Sequence, residues 1–385
     1  AGKRGARVAP SQKARLKRWL KGGCSGEFSL RLAAGGADIT VTSRELRRLQ
    51  GRFMAQLEAD AEKAAAAAIK AAVPRLRTSY AKTWPAHNRH LARLQRGFER
   101  RLYARYRAGF ELLSLHVTLG RELGDEVNQE ARATKRRRAP VAFVDVLTRL
   151  HARSCQIADE VAALLRSGYA DGAMARWRSL HEVSVILQFI AEHGPETAIR
   201  YAEHEAVESL KAARGYNAAA ERLDHAPYTT AELAAMEKET RAITSKYGAD
   251  YDSEYGWAAV ALKKRKPSFA DIEKAVGLDH FRPYYKFASH NVHANPKGIF
   301  YRLCVLGDRS ILPTGATNVG LTDPAQNTAI AVARATAVVA QLAPSSADRW
   351  CVIGVMNALV GEIAAAFWSG ERAIQKDESR LRKSH

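Results

Sequence analysis

Only one pair of segments in this chain alternates apolar and polar residues as strands do. These are Glu27-Phe-Ser-Leu-Arg-Leu32 and Ala37-Asp-Ile-Thr-Val-Thr42, on either side of Ala33-Ala-Gly-Gly36. Alternation flanking a Gly-Gly turn reads as a β-hairpin. Elsewhere the apolar residues recur at three- and four-residue steps, the period of a helix buried on one side. The fold class is therefore α: mainly a helical bundle, with one small N-terminal hairpin.

Thr42-Ser-Arg-Glu45 is a capping-box pattern and opens a helix running through an alanine tract to about Val73, where Pro74 should stop it. A second long helix, from about Pro85 to Glu130, carries Leu91, Leu94, Phe98, Leu102, Tyr106, Phe110 and Leu113 at helical spacing. The two together predict a long helical hairpin arm. After Pro140, helices are expected at about Val141–Arg166, at Gly172–Glu192 capped by Asp171, and at Glu196–Arg214 after Gly194-Pro195. Further helices are expected at Thr230–Tyr247 and Phe269–Val276. A short one begins at Pro283 and is ended by Asn295-Pro296, and two more close the chain.

Charge divides the chain where periodicity does not. Residues 1–140 hold 31 Lys and Arg against 12 Asp and Glu, a net +19, and the remaining 245 hold 29 against 28, a net +1. This predicts a basic N-terminal region at 1–139 and a near-neutral helical domain at 140–385. A basic balance of that size selects an anionic partner and says nothing of fold. The candidate phosphate-binding residues are Arg89, Arg93, Arg96 and Arg100 on the second long helix, then Lys135, Arg136, Arg137 and Arg138.

Cys24, Cys155, Cys304 and Cys351 are widely spaced, which excludes a C-x-x-C zinc site and suits a reducing compartment. The basic N-terminus has no apolar segment behind it, as a secretory signal would. The most apolar stretch, Ala329 to Trp368, is interrupted by Arg334, Pro344, Asp348, Arg349 and Glu362. The expectation is a cytoplasmic protein with no membrane partner.

Two clusters could carry chemistry. In Arg176-Trp-Arg-Ser-Leu-His-Glu182, inside an apolar helix, Arg178 and Glu182 are four apart and can pair, with His181 on the adjoining face. In Arg282-Pro-Tyr-Tyr-Lys-Phe-Ala-Ser-His-Asn-Val-His293, the residues Lys286, Ser289, His290 and His293 share a helix face. Imidazoles titrate near neutrality and can move protons, so these form an acid/base set. Each cluster equally suits a structural polar network. A third segment, Tyr255-Gly-Trp257 with Lys263-Lys-Arg-Lys266, could stack on bases or serve as a hydrophobic anchor.

Three pieces taken in order carry a resemblance: Gly168-Tyr-Ala-Asp-Gly-Ala with Arg178-Ser-Leu-His-Glu182, then Tyr255-Gly-Trp-Ala258, then Tyr285 with Ser289-His-Asn-Val-His-Ala294. Together they resemble a bacterial family of unknown function related to HEPN-type helical domains, over about Val141 to Pro324. That resemblance implies ribonucleases of toxin–antitoxin and phage-defence systems, dimeric and metal-independent, with an Arg-x4–6-His motif. Arg176 to His181 has the motif's four intervening residues, although one helix turns those side chains about 140° apart. Arg282 and Lys286 converge better on His290 and His293, at a spacing outside the motif.

The resemblance implies attack of a 2′-hydroxyl on the adjacent phosphate. His293 would be the base, His290 or His181 its partner, and Arg178 would hold the phosphate or, with Glu182, orient His293. No cofactor or metal is expected. The expected partners are nucleic acid, RNA before DNA, and either a second copy or a partner protein of a defence complex. Three readings stay open: a metal-independent endoribonuclease, a non-catalytic nucleic-acid-binding or assembly module, and a basic half that docks on an anionic protein partner or on lipid.

Overall fold

The computed structural model describes residues 10–22, 27–31, 38–133, 140–305 and 312–383. Its elements are α1 (Pro10–Lys21), β1 (Glu27–Arg31), β2 (Asp38–Thr42), α2 (Ser43–Ala133), α3 (Val141–Arg166), α4 (Ala170–Glu203) and α5 (Glu205–Leu223). They continue with α6 (Thr230–Tyr247), α7 (Ala259–Leu262), α8 (Phe269–Ala275), α9 (Arg282–Val292), α10 (Pro296–Phe300), α11 (Thr322–Val339) and α12 (Ala347–Lys383). The helical bundle with one small hairpin is as the sequence predicts.

The chain divides into two compact units, Ala1–Leu94 and Gln95–His385. In the first, β1 and β2 pair antiparallel with Glu27 opposite Thr42 and Arg31 opposite Asp38. The Gly-Gly turn lies outside the described residues. Trp19 of α1 stacks on Phe28 at 5.4 Å, and Phe28 is the one buried side chain described in this unit. The predicted capping box is present: Thr42 N–H donates to Glu45 at 2.9 Å, and Glu45 N–H to Thr42 Oγ1 at 3.2 Å.

The predicted hairpin of two long helices is replaced by one helix, which contains both Pro74 and Pro85. A proline inside a helix costs one hydrogen bond and a clash, ~3 kcal/mol. The alanine-rich run before Pro74 continues the helix at little cost to side-chain entropy, and a single break does not stop propagation. The non-helical residue of α2 is Tyr106 (φ −110°, ψ 18°).

Net charge placed the boundary at 139/140, whereas packing places it at 94/95. Beyond Leu94 one apolar face of α2 is covered by other helices. Leu102, Tyr106, Phe110, Leu113 and Val117 pack with Ile157 and Val161 of α3, Trp177 of α4, Val332 of α11 and Phe367 of α12. A second cluster gathers Leu123, Leu147, Phe189, Trp257, Phe269, Tyr285 and Ile353. Close approach is set by glycine. A Cβ on Gly109 would lie 2.7 Å from Phe367, and one on Gly124 would overlap the His151 ring.

Several boundaries move. α3 ends at Arg166 and α6 spans Thr230–Tyr247, as expected. The break expected at Gly194-Pro195 is present, with Gly194 at φ 82°, but helix resumes to Glu203 and α5 starts at Glu205. Asp171 does not cap α4; its Oδ1 accepts Leu303 N–H at 2.9 Å and ties down the 301–305 segment. Asn295 does not end α9, which stops at Val292. Its side chain caps α10 instead, accepting from Lys297 N–H at 3.0 Å.

Two histidines are buried with this core. His116 is bonded to Ala329 O at 2.8 Å, and His151 to Thr336 Oγ1 at 3.0 Å. Burial pushes both imidazoles down to about 4. The unfolded chain binds their protons near pH 6.5, so their neutral forms stabilise the fold above that pH. That stability is lost as pH falls toward 4. Thermal melts between pH 7 and 4.5 should show a loss of about 2–3 kcal/mol per histidine, with a shallower slope in His116→Gln/His151→Gln.

Candidate functional site

Helix α4 is apolar through Trp177, Leu180 and Val185, all buried, so the charged residues between them need partners from elsewhere. Those partners come from α8 and α9. Arg178 Nη2 donates to the Tyr285 hydroxyl at 2.9 Å and lies 3.2 Å from Glu182 Oε1. The Tyr285 hydroxyl in turn donates to Glu182 Oε1 at 2.5 Å. The guanidinium carbons of Arg178 and Arg282 lie 4.8 and 5.0 Å from the Tyr285 ring centroid.

Behind this group is a second one. His181 Nε2 is 2.9 Å from Glu273 Oε1, and Arg282 bonds the other carboxylate oxygen. Glu273 has no solvent exposure and His181 only 2%. The rings of Trp177, Phe269, Phe281 and Tyr285 surround the imidazole. Toward solvent the side chains open: Arg178 is 23% exposed and Glu182 30%.

Burial, then the hydrogen bond to Glu182, pushes the Tyr285 phenol up to about 12. Burial also raises the Tyr255 phenol, with the charges of Glu254 and Glu182 adding to it. Tyr285 is therefore a held proton donor and Glu182 its acceptor. Arg178 carries a fixed positive charge whose Nε is buried without a partner among the described residues.

Of the predicted site residues, Arg178, His181 and Glu182 are thus brought together. The others are not joined to them. Lys286 is exposed and Ser289 donates to the Tyr285 carbonyl at 2.8 Å. His290 is half-buried. His293 caps the end of α9 in extended backbone, exposed, two turns beyond Tyr285. Among the described residues no hydrogen bond or ion pair links Arg178 to either histidine. Proline at the start of α9 and the turn at Asn295 shorten this helix, so the face expected to run from Lys286 to His293 ends before His293. Arg89, Arg93, Arg96 and Arg100 are exposed on α2, and Lys135, Arg136, Arg137 and Arg138 lie outside the described residues.

Sequence reasoning missed Glu273. The signal was present: Glu273 follows Phe269 by four residues and adjoins Ile272, which sets a carboxylate on the apolar side of α8. The Tyr-Gly-Trp segment is a hydrophobic anchor. Trp257 meets Tyr201 and Phe189 edge-on at 5.0 and 5.8 Å, and a Cβ on Gly256 would overlap the Tyr251 carbonyl. The basic run beside it is paired in part, Lys264 with Asp271 at 2.8 Å and Arg265 with Asp250 at 2.7 Å.

An open groove of about 770 Å³ lies between α2 and α3, with Gly124, His151 and Cys155 at its floor. Its rim is laced by Arg121–Asp159 and Arg149–Asp145 at 3.0 and 2.7 Å. Burial pushes the Cys155 thiol up to about 12 and keeps His151 neutral, so no thiolate is available for nucleophilic attack. No group of three His, Cys, Asp or Glu placed to hold a metal occurs among the described residues.

Residues 144–309 match the model of DUF5677, a family of unknown function. No curated protein and no solved structure matches the chain. The DUF5677 segment contains Arg178, His181, Glu182, Glu273, Arg282 and Tyr285, and the Tyr-Gly-Trp anchor. The basic first unit, and α11 and α12, lie outside it.

The buried carboxylate gives a direct test. Glu273→Ala leaves His181 and Arg282 without their shared partner and should cost about 3–5 kcal/mol, read as a lowered Tm. Glu273→Gln preserves the shape and one hydrogen bond, so it should cost clearly less.

Proposed function

We propose that this chain is a nucleic-acid-binding protein, preferring RNA to DNA, whose basic first unit holds the phosphate backbone. The supporting observation is the charge of residues 1–94, which hold 20 Lys and Arg against 6 Asp and Glu. Lys13, Arg15, Lys17, Arg18 and Lys21 of α1 are exposed, as are Arg44, Arg47, Arg48 and Arg52 of α2. Cations exposed at this density displace counterions from a polyanion, and the gain is entropic and salt-dependent.

In this reading the Arg178–Tyr285–Glu182 and His181–Glu273–Arg282 groups are a structural network fixing α4, α8 and α9. Its members are paired with one another, and its most buried pair has no path to solvent. The HEPN-type resemblance adds the expectation of a bacterial defence or toxin-type role.

Metal-independent RNA cleavage is the second reading. Arg178 and Glu182 reach solvent around Tyr285, and the Arg178 Nε is unpaired. Arg178 would hold the phosphate, and Glu182 would take a proton from the attacking 2′-hydroxyl, with His181 fixed behind them.

Binding of a fluorescent single-stranded RNA, titrated with salt, tests the first reading. Affinity should fall steeply with salt, and Arg44, Arg47, Arg48 and Arg52 together replaced by Gln should reduce the log–log slope by about 3. Binding insensitive to salt, or a slope unchanged by the four substitutions, would refute it. EDTA-resistant cleavage of the bound RNA, abolished in Glu182→Gln with binding retained, would establish the second reading. Wild-type protein that binds and leaves RNA intact excludes it.

A further inference from the structure

The helical hairpin expected for the arm would have buried its apolar residues between two helices. Instead α2 is continuous and leaves one row of them bare. Ile69, Val73, Leu76, Tyr80, Trp84 and Leu94 share a sector of about 80° around the helix. All are exposed, from 49% at Leu76 to 67% at Tyr80. The row extends for about 40 Å along the axis, and the His87 ring lies in it, 5.8 Å from Trp84.

The charge around that row is of one sign. Residues 63–94 hold seven Lys and Arg and no Asp or Glu. All seven cations are exposed, and none is in an ion pair among the described residues. Lys70 and Arg77 border the apolar sector, whereas Arg75, Lys82, Arg89 and Arg93 lie across the helix from it. This placement selects among anionic occupants. A helix docked on the row would meet Lys70 and Arg77 and leave the other four without a partner. A phosphate backbone would pair the cations and leave the aliphatic side chains in water. A charged bilayer satisfies both. Its field decays over about 10 Å, roughly the thickness of a helix, so cations on the far side still lie within it. The exposed stretch of α12 between Trp350 and Trp368 has one Glu and no Lys or Arg, so no such selection acts there.

We propose that residues 63–94 bind in the plane of a membrane surface rich in anionic lipid, with the apolar row in the acyl boundary. Tyr80 and Trp84 then sit at headgroup level, where amphipathic rings are favoured. Lys70 and Arg77 extend their long side chains to the phosphates beside them. Each Lys or Arg near such a surface multiplies affinity by about five. Because the helix is already formed, binding bears no cost of folding it. The expectation of no membrane partner concerns spanning segments, and a helix lying in the interface needs none.

Vesicle binding does not depend on the nucleic-acid reading, and the nuclease-treated full chain tests it. The protein should float with phosphatidylcholine vesicles that contain phosphatidylglycerol, not with phosphatidylcholine alone, and salt should release it. Tyr80→Ser/Trp84→Ser should lower vesicle affinity about tenfold or more, with Tm and RNA affinity unchanged. Lys82→Gln/Arg89→Gln, across the helix, should lower it about tenfold. No flotation with anionic vesicles, equal flotation with neutral ones, or wild-type affinity in either double variant would overturn the proposal. A loss of RNA affinity in Tyr80→Ser/Trp84→Ser equal to the loss of vesicle affinity would overturn it in favour of a single strand stacked on this face.

Discussion

A carboxylate removed from water must be compensated where it stands, and Glu273 is the residue on which the DUF5677 segment turns. Its two oxygens are used by His181 of α4 and Arg282 of α9, so one side chain on a seven-residue helix fixes the spacing of two longer ones. The cost of desolvating that charge is recovered only if both partners keep their geometry. Aromatic rings on every side of His181 exclude the water that could otherwise substitute for them. Between α5 and α6 the contacts are lighter: the buried Thr240 hydroxyl donates to Ala206 O at 3.1 Å, Arg214 pairs with Glu237 at the surface, and Lys211 of α5 reaches the exposed Asp252. Pairs of that kind contribute ~0–1 kcal/mol.

Much of the fold is legible in the sequence because it depends on local rules. The capping box at Thr42, the arrest of α3 before Gly168 and the break at Gly194 follow from residue types and their spacing. What escapes is whatever tertiary packing decides. Pro74 is a stop signal by chemistry, yet it is passed. Asp171 and Asn295 are both good caps, but α4 spends Asp171 on a loop and the chain spends Asn295 on the next helix. The site divides in the same way. Arg178 and Glu182 pair at four-residue spacing, as helix geometry requires. Tyr285 and Glu273 join them from more than 90 residues away, at a distance no local rule reaches.

The histidines illustrate why residue type alone misleads about chemistry. Twelve are present, and four of them have unrelated settings. His116 and His151 are kept neutral by burial, His181 is locked to a carboxylate, and His293 stands exposed at a helix end. A catalytic imidazole needs both a path to substrate and a partner that tunes it. His181 has the partner without the path, and His293, exposed at its helix end, has no side-chain partner among the described residues.

The two exposed apolar surfaces differ in the one property that decides what can cover them. The α2 stripe is set among cations, so burying it against itself would bring like charges into a lower dielectric, where repulsion grows. The outer face of α12 instead carries small residues, Gly354, Ala358, Gly361 and Ala365, between the exposed Trp350 and Trp368. The segregation of charge first seen as +19 against +1 thus has a structural counterpart in two exposed apolar surfaces, one set among cations on the first part of α2 and one on the near-neutral α12.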